Sequence, residues 1–173
     1  MKQLFLGFLV GIFLLSGCGY KPTARYAKEV LGHKIYAEVT ISRQDPRNSV
    51  LIKDAVNEAV VSRFGGKLTS RELADTTLHV SISSISFSPT VYDKYGYVIA
   101  YKTTVTLLTK YEGVDKKPEQ FTTSGEYDFS IASNSVISDS SRFDAIRYAA
   151  SDAIDEFVSK IAIKGLRNGN NNQ

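Results

Sequence analysis

The chain has 173 residues, of which 21 are Lys or Arg and 18 are Asp or Glu, and its formal net charge is +3. A chain of this length fits one domain that can bury a core without disulfide or metal staples. The basic residues are scattered among acidic ones and no nucleic-acid-binding motif occurs, so the sequence gives no support for a nucleic-acid-binding protein.

The first 18 residues have the layout of a bacterial lipoprotein signal. Lys2 gives a basic start, residues 4–15 form an uncharged apolar run, and the small residues Ser16 and Gly17 precede Cys18, the only cysteine. This apolar run is too short for a transmembrane helix, which needs roughly 20 residues. We therefore expect cleavage before Cys18 and lipidation of its thiol. The alternatives are a plain secretory signal or a buried first helix.

The composition along the chain predicts four segments. Residues 1–17 form the signal peptide, residues 18–33 the lipidated N-terminus and a tether, and residues 34–166 a single domain. Residues 167–173 are polar and lack the apolar side chains that would repay their ordering entropy, so we expect a disordered tail. Gly19 rather than Asp follows the cysteine, which favours transport to the periplasmic side of the outer membrane.

The first half of the domain predicts a strand, a helix and a second strand. Apolar and polar residues alternate over 35–42, as in a half-buried strand. Apolar residues then recur at three- and four-residue intervals over 51–64, which predicts an amphipathic helix that Gly65 ends. Alternation returns over 78–87 and changes phase at 83–84, which indicates a β-bulge in the second strand.

The second half predicts two further strands and a closing helix. Residues 92–96 form a turn, 97–108 a long third strand, and 121–129 a fourth strand with its aromatic residues on one face. Apolar residues at helical spacing over 143–161 predict a long helix that Gly165 ends. The order β-α-β-β-β-α predicts an α+β two-layer sandwich, in which two helices cover one face of a four-stranded, mostly antiparallel sheet.

The residues that usually carry catalysis or bind metals do not gather in this sequence. His33 and His79 are far apart, and Cys18 is expected to carry lipid, so a zinc site lacks convergent ligands. No nucleophile-elbow motif occurs, and Gly65 follows a helix instead of opening one, so it forms no phosphate cradle. We therefore expect no enzyme, no metal site and no cofactor.

Tyrosine and lysine side chains are concentrated around the turn before the third strand. Such residues can form an interface, because tyrosine offers a large contact area with a polar tip. The alternative is that they cover a half-solvated sheet face, as strand-forming residues often do. The candidate contact residues are Tyr92, Lys94, Tyr95, Tyr97, Tyr101 and Lys102.

Several short motifs occur in a characteristic order along nearly the whole mature chain. They are the lipobox with Gly19-Tyr20, Ala74-Asp75, Tyr92-Asp93-Lys94-Tyr95-Gly96, Tyr101, and Ser124-Gly125-Glu126-Tyr127-Asp128-Phe129 before the final helix. In this order they resemble the LptE family of lipopolysaccharide (LPS) assembly lipoproteins, in a divergent, epsilonproteobacterial form.

The resemblance implies a non-enzymatic, lipid-anchored subunit without a cofactor. Family members sit in the lumen of the outer-membrane β-barrel LptD and help to insert LPS into the outer leaflet. The tyrosine and lysine residues would then contact LPS or the barrel, with Lys94 as the candidate for phosphate groups. Two other classes remain open: an auxiliary lipoprotein of an ABC-type lipid transporter, and a lipoprotein activator of a cell-wall synthase.

Overall fold

The computed structural model describes residues 23–40 and 46–170. The predicted signal peptide, Cys18 and the last three residues lie outside this described part. The elements are α1 (Thr23–Leu31), β1 (Lys34–Val39), α2 (Pro46–Ser62), β2 (Lys67–Leu68), a 3-10 turn (Arg71–Leu73), β3 (Thr76–Tyr92), β4 (Val98–Glu112), β5 (Pro118–Ser130) and α3 (Asp139–Asn170).

The predicted fold class is confirmed, with more elements than the sequence analysis found. Within the described residues the sheet has five strands in the order β2-β1-β3-β4-β5. Strand β1 is parallel to both β2 and β3, whereas the β3–β4 and β4–β5 pairs are antiparallel. The additional strand, β2, pairs only through Lys67 and Leu68, which is too short to show any alternation.

The predicted tether over 18–33 is corrected for its second half, which forms helix α1. Ala27 and Leu31 are fully buried in this helix, and the carbonyl of Val30 accepts a hydrogen bond of 3.0 Å from the N–H of Val114 in the turn between β4 and β5. Nine residues give few repeats of a helical pattern, and tertiary packing stabilises such a short helix. Helix α1 is therefore part of the domain.

Helix α3 also differs from the prediction, because it continues through Gly165 to Asn170. A side chain at Gly165 would place its Cβ 2.3 Å from the carbonyl oxygen of Tyr26 in α1. Glycine is therefore needed here for the close approach of two helices and does not end α3. As a result, residues 167–170 of the predicted tail are helical.

The bulge predicted at 83–84 is confirmed by a register shift between Ile82 and Ser84. In β4, alternate residues from Thr103 to Tyr111 are buried and the residues between them are not. The buried set faces the helices, and we call this side of the sheet the helix face and the opposite side the open face. One hydrophobic cluster joins the three helices to the helix face.

Helix α3 packs directly on β5, the last strand of the sheet. A Cβ built on Gly125 would lie 2.1 Å from the carbonyl oxygen of Ala149 and 2.2 Å from the backbone nitrogen of Ala153. Real Cβ atoms do not approach other atoms so closely. The absence of a side chain at Gly125 therefore sets the distance between α3 and the strand.

Polar side chains of α3 bind the outer backbone groups of β5. Glu156 accepts a hydrogen bond of 2.7 Å from the N–H of Ser124, and Asp152 accepts one of 3.0 Å from the N–H of Glu126. The Ser124 N–H is the main cause of a lowered pKa for Glu156, with Lys160 as a further cause. The edge of β5 is thus hydrogen-bonded to a helix.

Candidate interaction surface

The turn between β3 and β4 is built around Asp93. One carboxylate oxygen of Asp93 accepts hydrogen bonds of 2.8 Å from the N–H of Tyr95 and 2.9 Å from the N–H of Tyr97. The other accepts a bond of 2.5 Å from the hydroxyl of Ser133, which belongs to the loop before α3. Gly96 has a φ of 84°, a left-handed conformation that glycine adopts without strain.

These hydrogen bonds fix both the turn and the neighbouring loop. The Ser133 hydroxyl, together with backbone N–H groups of the turn, lowers the pKa of Asp93, so the carboxylate form is favoured. The loop is also held by a hydrogen bond of 2.9 Å from the N–H of Ile131 to the carbonyl of Ile99. The turn therefore presents its side chains from a defined backbone conformation.

Four of the six predicted contact residues lie together at this turn. Tyr92, Tyr95 and Tyr97 are 57%, 74% and 47% exposed, which is high for aromatic side chains. The ammonium group of Lys94 lies 4.9 Å from the centre of the Tyr95 ring, in cation–π geometry. We call Tyr92, Lys94, Tyr95 and Tyr97 the tyrosine tip.

The other two predicted residues, Tyr101 and Lys102, lie on opposite faces of the sheet. Tyr101 is on the helix face, where its ring stacks on Phe129 with centres 6.0 Å apart. Lys102 is on the open face, where its Nζ lies 2.6 Å from an oxygen of Glu126. This bond raises the pKa of Lys102. The six residues therefore do not form one continuous surface.

An aromatic group beside Tyr101 is not among the residues predicted from the sequence. Phe87 of β3 packs edge-on against Phe129 at 6.4 Å, and the guanidinium of Arg142 lies 4.7 Å from the centre of the Phe87 ring. The three rings come from neighbouring strands and are half-buried under the first turns of α3. Alternation in each strand could have placed the rings on one face, but it could not reveal where α3 begins.

The open face is rich in hydroxyl groups, which the sequence analysis also missed. In the middle of β3, β4 and β5, serine and threonine occupy most of the positions that point away from the helices. Two of them, Thr106 and Ser124, have their hydroxyl oxygens 3.3 Å apart. The open-face residues concerned are Ser81, Ser84, Ser86, Ser88, Thr104, Thr106, Thr122 and Ser124.

A partly buried group of polar side chains joins the other end of the sheet to α3. The hydroxyl of Tyr111 donates a hydrogen bond of 2.9 Å to Glu119, and Lys164 donates to both residues. Burial, followed by the interaction with Glu119, raises the pKa of Tyr111. Lys164 is the main cause of a lowered pKa for Glu119. This arrangement links the end of α3 to β4 and β5 and contains no activated nucleophile.

No helix in residues 23–40 and 46–170 has both the length and the apolar character needed to cross a bilayer. In the same residues, no group of three or more His, Cys, Asp or Glu side chains is placed to hold a metal ion.

Comparison with solved structures shows the same fold at low sequence identity. A candidate lipoprotein from Caulobacter crescentus is 11% identical, with 82% of this chain and 93% of that chain covered and a TM-score of 0.52. A protein from Xanthomonas campestris is 13% identical, with coverages of 80% and 88% and a TM-score of 0.53. Comparison with curated protein sequences gives no match.

A family model, described as LptE, lipopolysaccharide-assembly, matches residues 36–161. This range is well over half of the chain and includes α2, strands β2 to β5, and most of β1 and α3. The family consists of non-enzymatic lipoproteins, in agreement with the prediction that the protein is not an enzyme. Because the match covers 126 of the 173 residues, the chain belongs to the lipopolysaccharide-assembly family LptE.

Proposed function

We propose that this LPS-assembly lipoprotein is held at the outer membrane by lipid on Cys18 and occupies the lumen of the LptD β-barrel. In this position it supports the barrel and helps LPS to reach the outer leaflet, without catalysing a reaction. The position of the tyrosine tip, at the end of the sheet farthest from α1, is the observation that carries the proposal.

The distance between the two ends of the domain supports this arrangement. Strand β4 has 15 residues, so at about 3.3 Å per residue it separates the tyrosine tip from the β4–β5 turn by roughly 50 Å. The β4–β5 turn binds α1 through Val114 and Val30. Helix α1 begins five residues after Cys18, and such a segment spans at most about 17 Å. A lipid on Cys18 would therefore hold the α1 end near the membrane surface, with the tip far from the anchor.

The surface chemistry of the sheet also suits the inside of a barrel. Large membrane barrels have polar interiors, and the middle of the open face offers the neutral hydrogen-bonding groups of its serine and threonine side chains. The tyrosine tip adds aromatic contact area together with the positive charge of Lys94. The proposed contact region also includes Tyr101, on the helix face, and Lys102, on the open face.

Changing Lys94 to Glu and Tyr95 to Ser in one variant should weaken both LptD association and LPS binding. The double change removes an exposed aromatic ring and reverses a charge. We therefore expect the affinity for each partner to fall by a factor of about five or more. The loss for LPS should shrink as salt is raised, because exposed charges are screened over about 8 to 10 Å at physiological ionic strength. Co-purification in mild detergent and a direct LPS-binding assay would measure these effects.

Lys53→Glu is the matched control, because Lys53 is exposed on α2, away from the tip. This control should retain both interactions, and both variants should keep the melting temperature of the parent. A folded double variant that still binds LPS and LptD as before would contradict the proposed role of the tip. Stable co-purification with inner-membrane transporter proteins or with a peptidoglycan synthase, in place of LptD, would contradict the proposed function.

Cys18→Ala should leave an unprocessed precursor that carries no lipid. The small residues before Cys18 and the lack of any other cysteine support this expectation. Mass spectrometry of the membrane fraction would detect the intact signal segment and the missing acyl chains. If the variant is still cleaved after Gly17 and still sediments with outer membrane, Cys18 is not the anchor.

A further inference from the structure

A depression of about 600 Å³ lies at the end of the open face farthest from the tyrosine tip. Strands β3, β4 and β5 form its floor, while the 3-10 turn and the β4–β5 turn form its walls. Polar and basic side chains dominate the lining. Those used below are Arg71, Thr77, His79, Lys110, Lys116 and Gln120.

Three cations of this depression are available to a ligand. Arg71 and Lys110 are exposed, and within the described residues neither has a carboxylate at ion-pair distance. The Nζ of Lys116 donates a hydrogen bond of 3.0 Å to the backbone carbonyl of Asp75, which leaves its positive charge uncompensated. Three separate segments of the chain therefore bring positive charge to one concave site.

The acidic side chains at the same site compensate only part of this charge. Glu119 is already bound by Lys164 and by the hydroxyl of Tyr111. Glu112 is exposed at the rim and is the other carboxylate among the lining residues. His79 lies opposite Lys110 in the sheet, and its Nδ1 is 3.2 Å from a carboxylate oxygen of Glu38, outside the depression. Among the lining residues, three cations therefore face two carboxylates, and one of these carboxylates is bound by Lys164.

We propose that this depression binds the phosphate group of an anionic glycerophospholipid. Arginine can offer two parallel N–H groups to phosphate oxygens, and lysine binds phosphate as a point charge. Thr77 and Gln120 add neutral hydrogen-bonding groups on the floor. The depression opens to solvent, so it suits a headgroup that remains attached to its bilayer.

The location of the depression favours a membrane lipid over a free ion. Lys116 on its rim belongs to the β4–β5 turn, which Pro118 follows, and this turn binds α1 through Val114. Helix α1 is the described element nearest in sequence to Cys18. This step rests on the proposed lipid anchor, which would bring the same end of the domain to the headgroups of the leaflet that holds it.

Vesicle sedimentation of the mature chain, made without signal peptide or lipid, tests the proposal. The chain should bind vesicles of equimolar phosphatidylglycerol and phosphatidylcholine, and it should not bind vesicles of phosphatidylcholine alone. Basic residues at an anionic surface each contribute about fivefold in affinity, so Arg71→Gln with Lys110→Gln should weaken binding about 25-fold. The matched control, Arg167→Gln with Lys53→Gln, removes one exposed arginine and one exposed lysine from the helices on the other side of the sheet, and it should retain most of the binding.

Three results would overturn the proposal. The first is equal loss of binding in the two double variants, because the attraction would then be diffuse. The second is no preference for phosphatidylglycerol. The third is binding of inorganic phosphate at the site as tight as binding of the vesicles, which would assign the depression to a free anion.

The proposed function is tested separately by co-purification of the Arg71→Gln, Lys110→Gln variant with LptD. If the tyrosine tip and the depression act independently, this variant should lose vesicle binding and still associate with LptD. Failure of the parent chain to associate with LptD, with vesicle binding intact, would count against the proposed function alone.

Discussion

Gly125→Ala should destabilise the protein by at least about 3 kcal/mol, at the upper end of the usual cost of overpacking. The added Cβ would meet backbone atoms of Ala149 and Ala153 at 2.1 and 2.2 Å, and backbone atoms cannot move aside by a rotamer change. Helix α3 would have to shift away from β5 and lose the hydrogen bonds to the strand edge. Urea denaturation would measure the change in the free energy of unfolding.

Ser124→Ala is the control for this substitution. Ser124 is the neighbouring residue and lies on the open face, so its removal should change the free energy of unfolding by no more than about 0.5 kcal/mol. A Gly125→Ala variant as stable as this control would mean that α3 does not approach β5 as closely as the structure shows.

Phe157→Ala should cost about 3 to 5 kcal/mol, which is a large part of the stability of a domain of this size. Phe157 is 3% exposed, and its ring contacts three others edge-on. The ring centres of Phe64, Tyr111 and Phe121 lie 6.0, 5.9 and 6.1 Å from its own. Removing Phe157 would leave a cavity where α2, α3, β4 and β5 meet.

Leu166→Ala provides the comparison on the same helix, because Leu166 is 41% exposed. We expect a much smaller decrease in melting temperature for this variant than for Phe157→Ala. Equal melting temperatures for the parent and Phe157→Ala would show that the buried face of α3 is assigned incorrectly.

The periodicity of apolar residues is sufficient to predict the long helices and strands and insufficient to predict the short ones. The apolar repeat of α2 and the phase change at 83–84 lie within single segments, so the sequence predicts them directly. Strand β2 has two residues and depends on its parallel pairing with β1. Gly165 was misinterpreted because glycine serves both helix ends and close helix contacts, and only the position of Tyr26 distinguishes these uses.

In the candidate surface, too, the parts formed by one continuous segment are predictable from the sequence and the parts that combine distant segments are not. The tyrosine tip is formed by one continuous turn, so its residues could be found together in the sequence. Tyr101 and Lys102 are adjacent, and the two-residue period of a strand already places them on opposite faces. The basic depression combines Arg71, Lys110 and Lys116 from three elements, and no local pattern reveals that combination.

The hydrogen bonds from α3 to β5 have a consequence for the proposed position inside a barrel. An open strand edge is a template for further strands. Here Glu156 and Asp152 occupy N–H groups that another strand would need. On the other side, β3 extends beyond β1 with a bulge after Ile82, and Pro89 lacks the N–H that pairing requires. We therefore expect that a barrel can close around this sheet without incorporating it into the barrel wall.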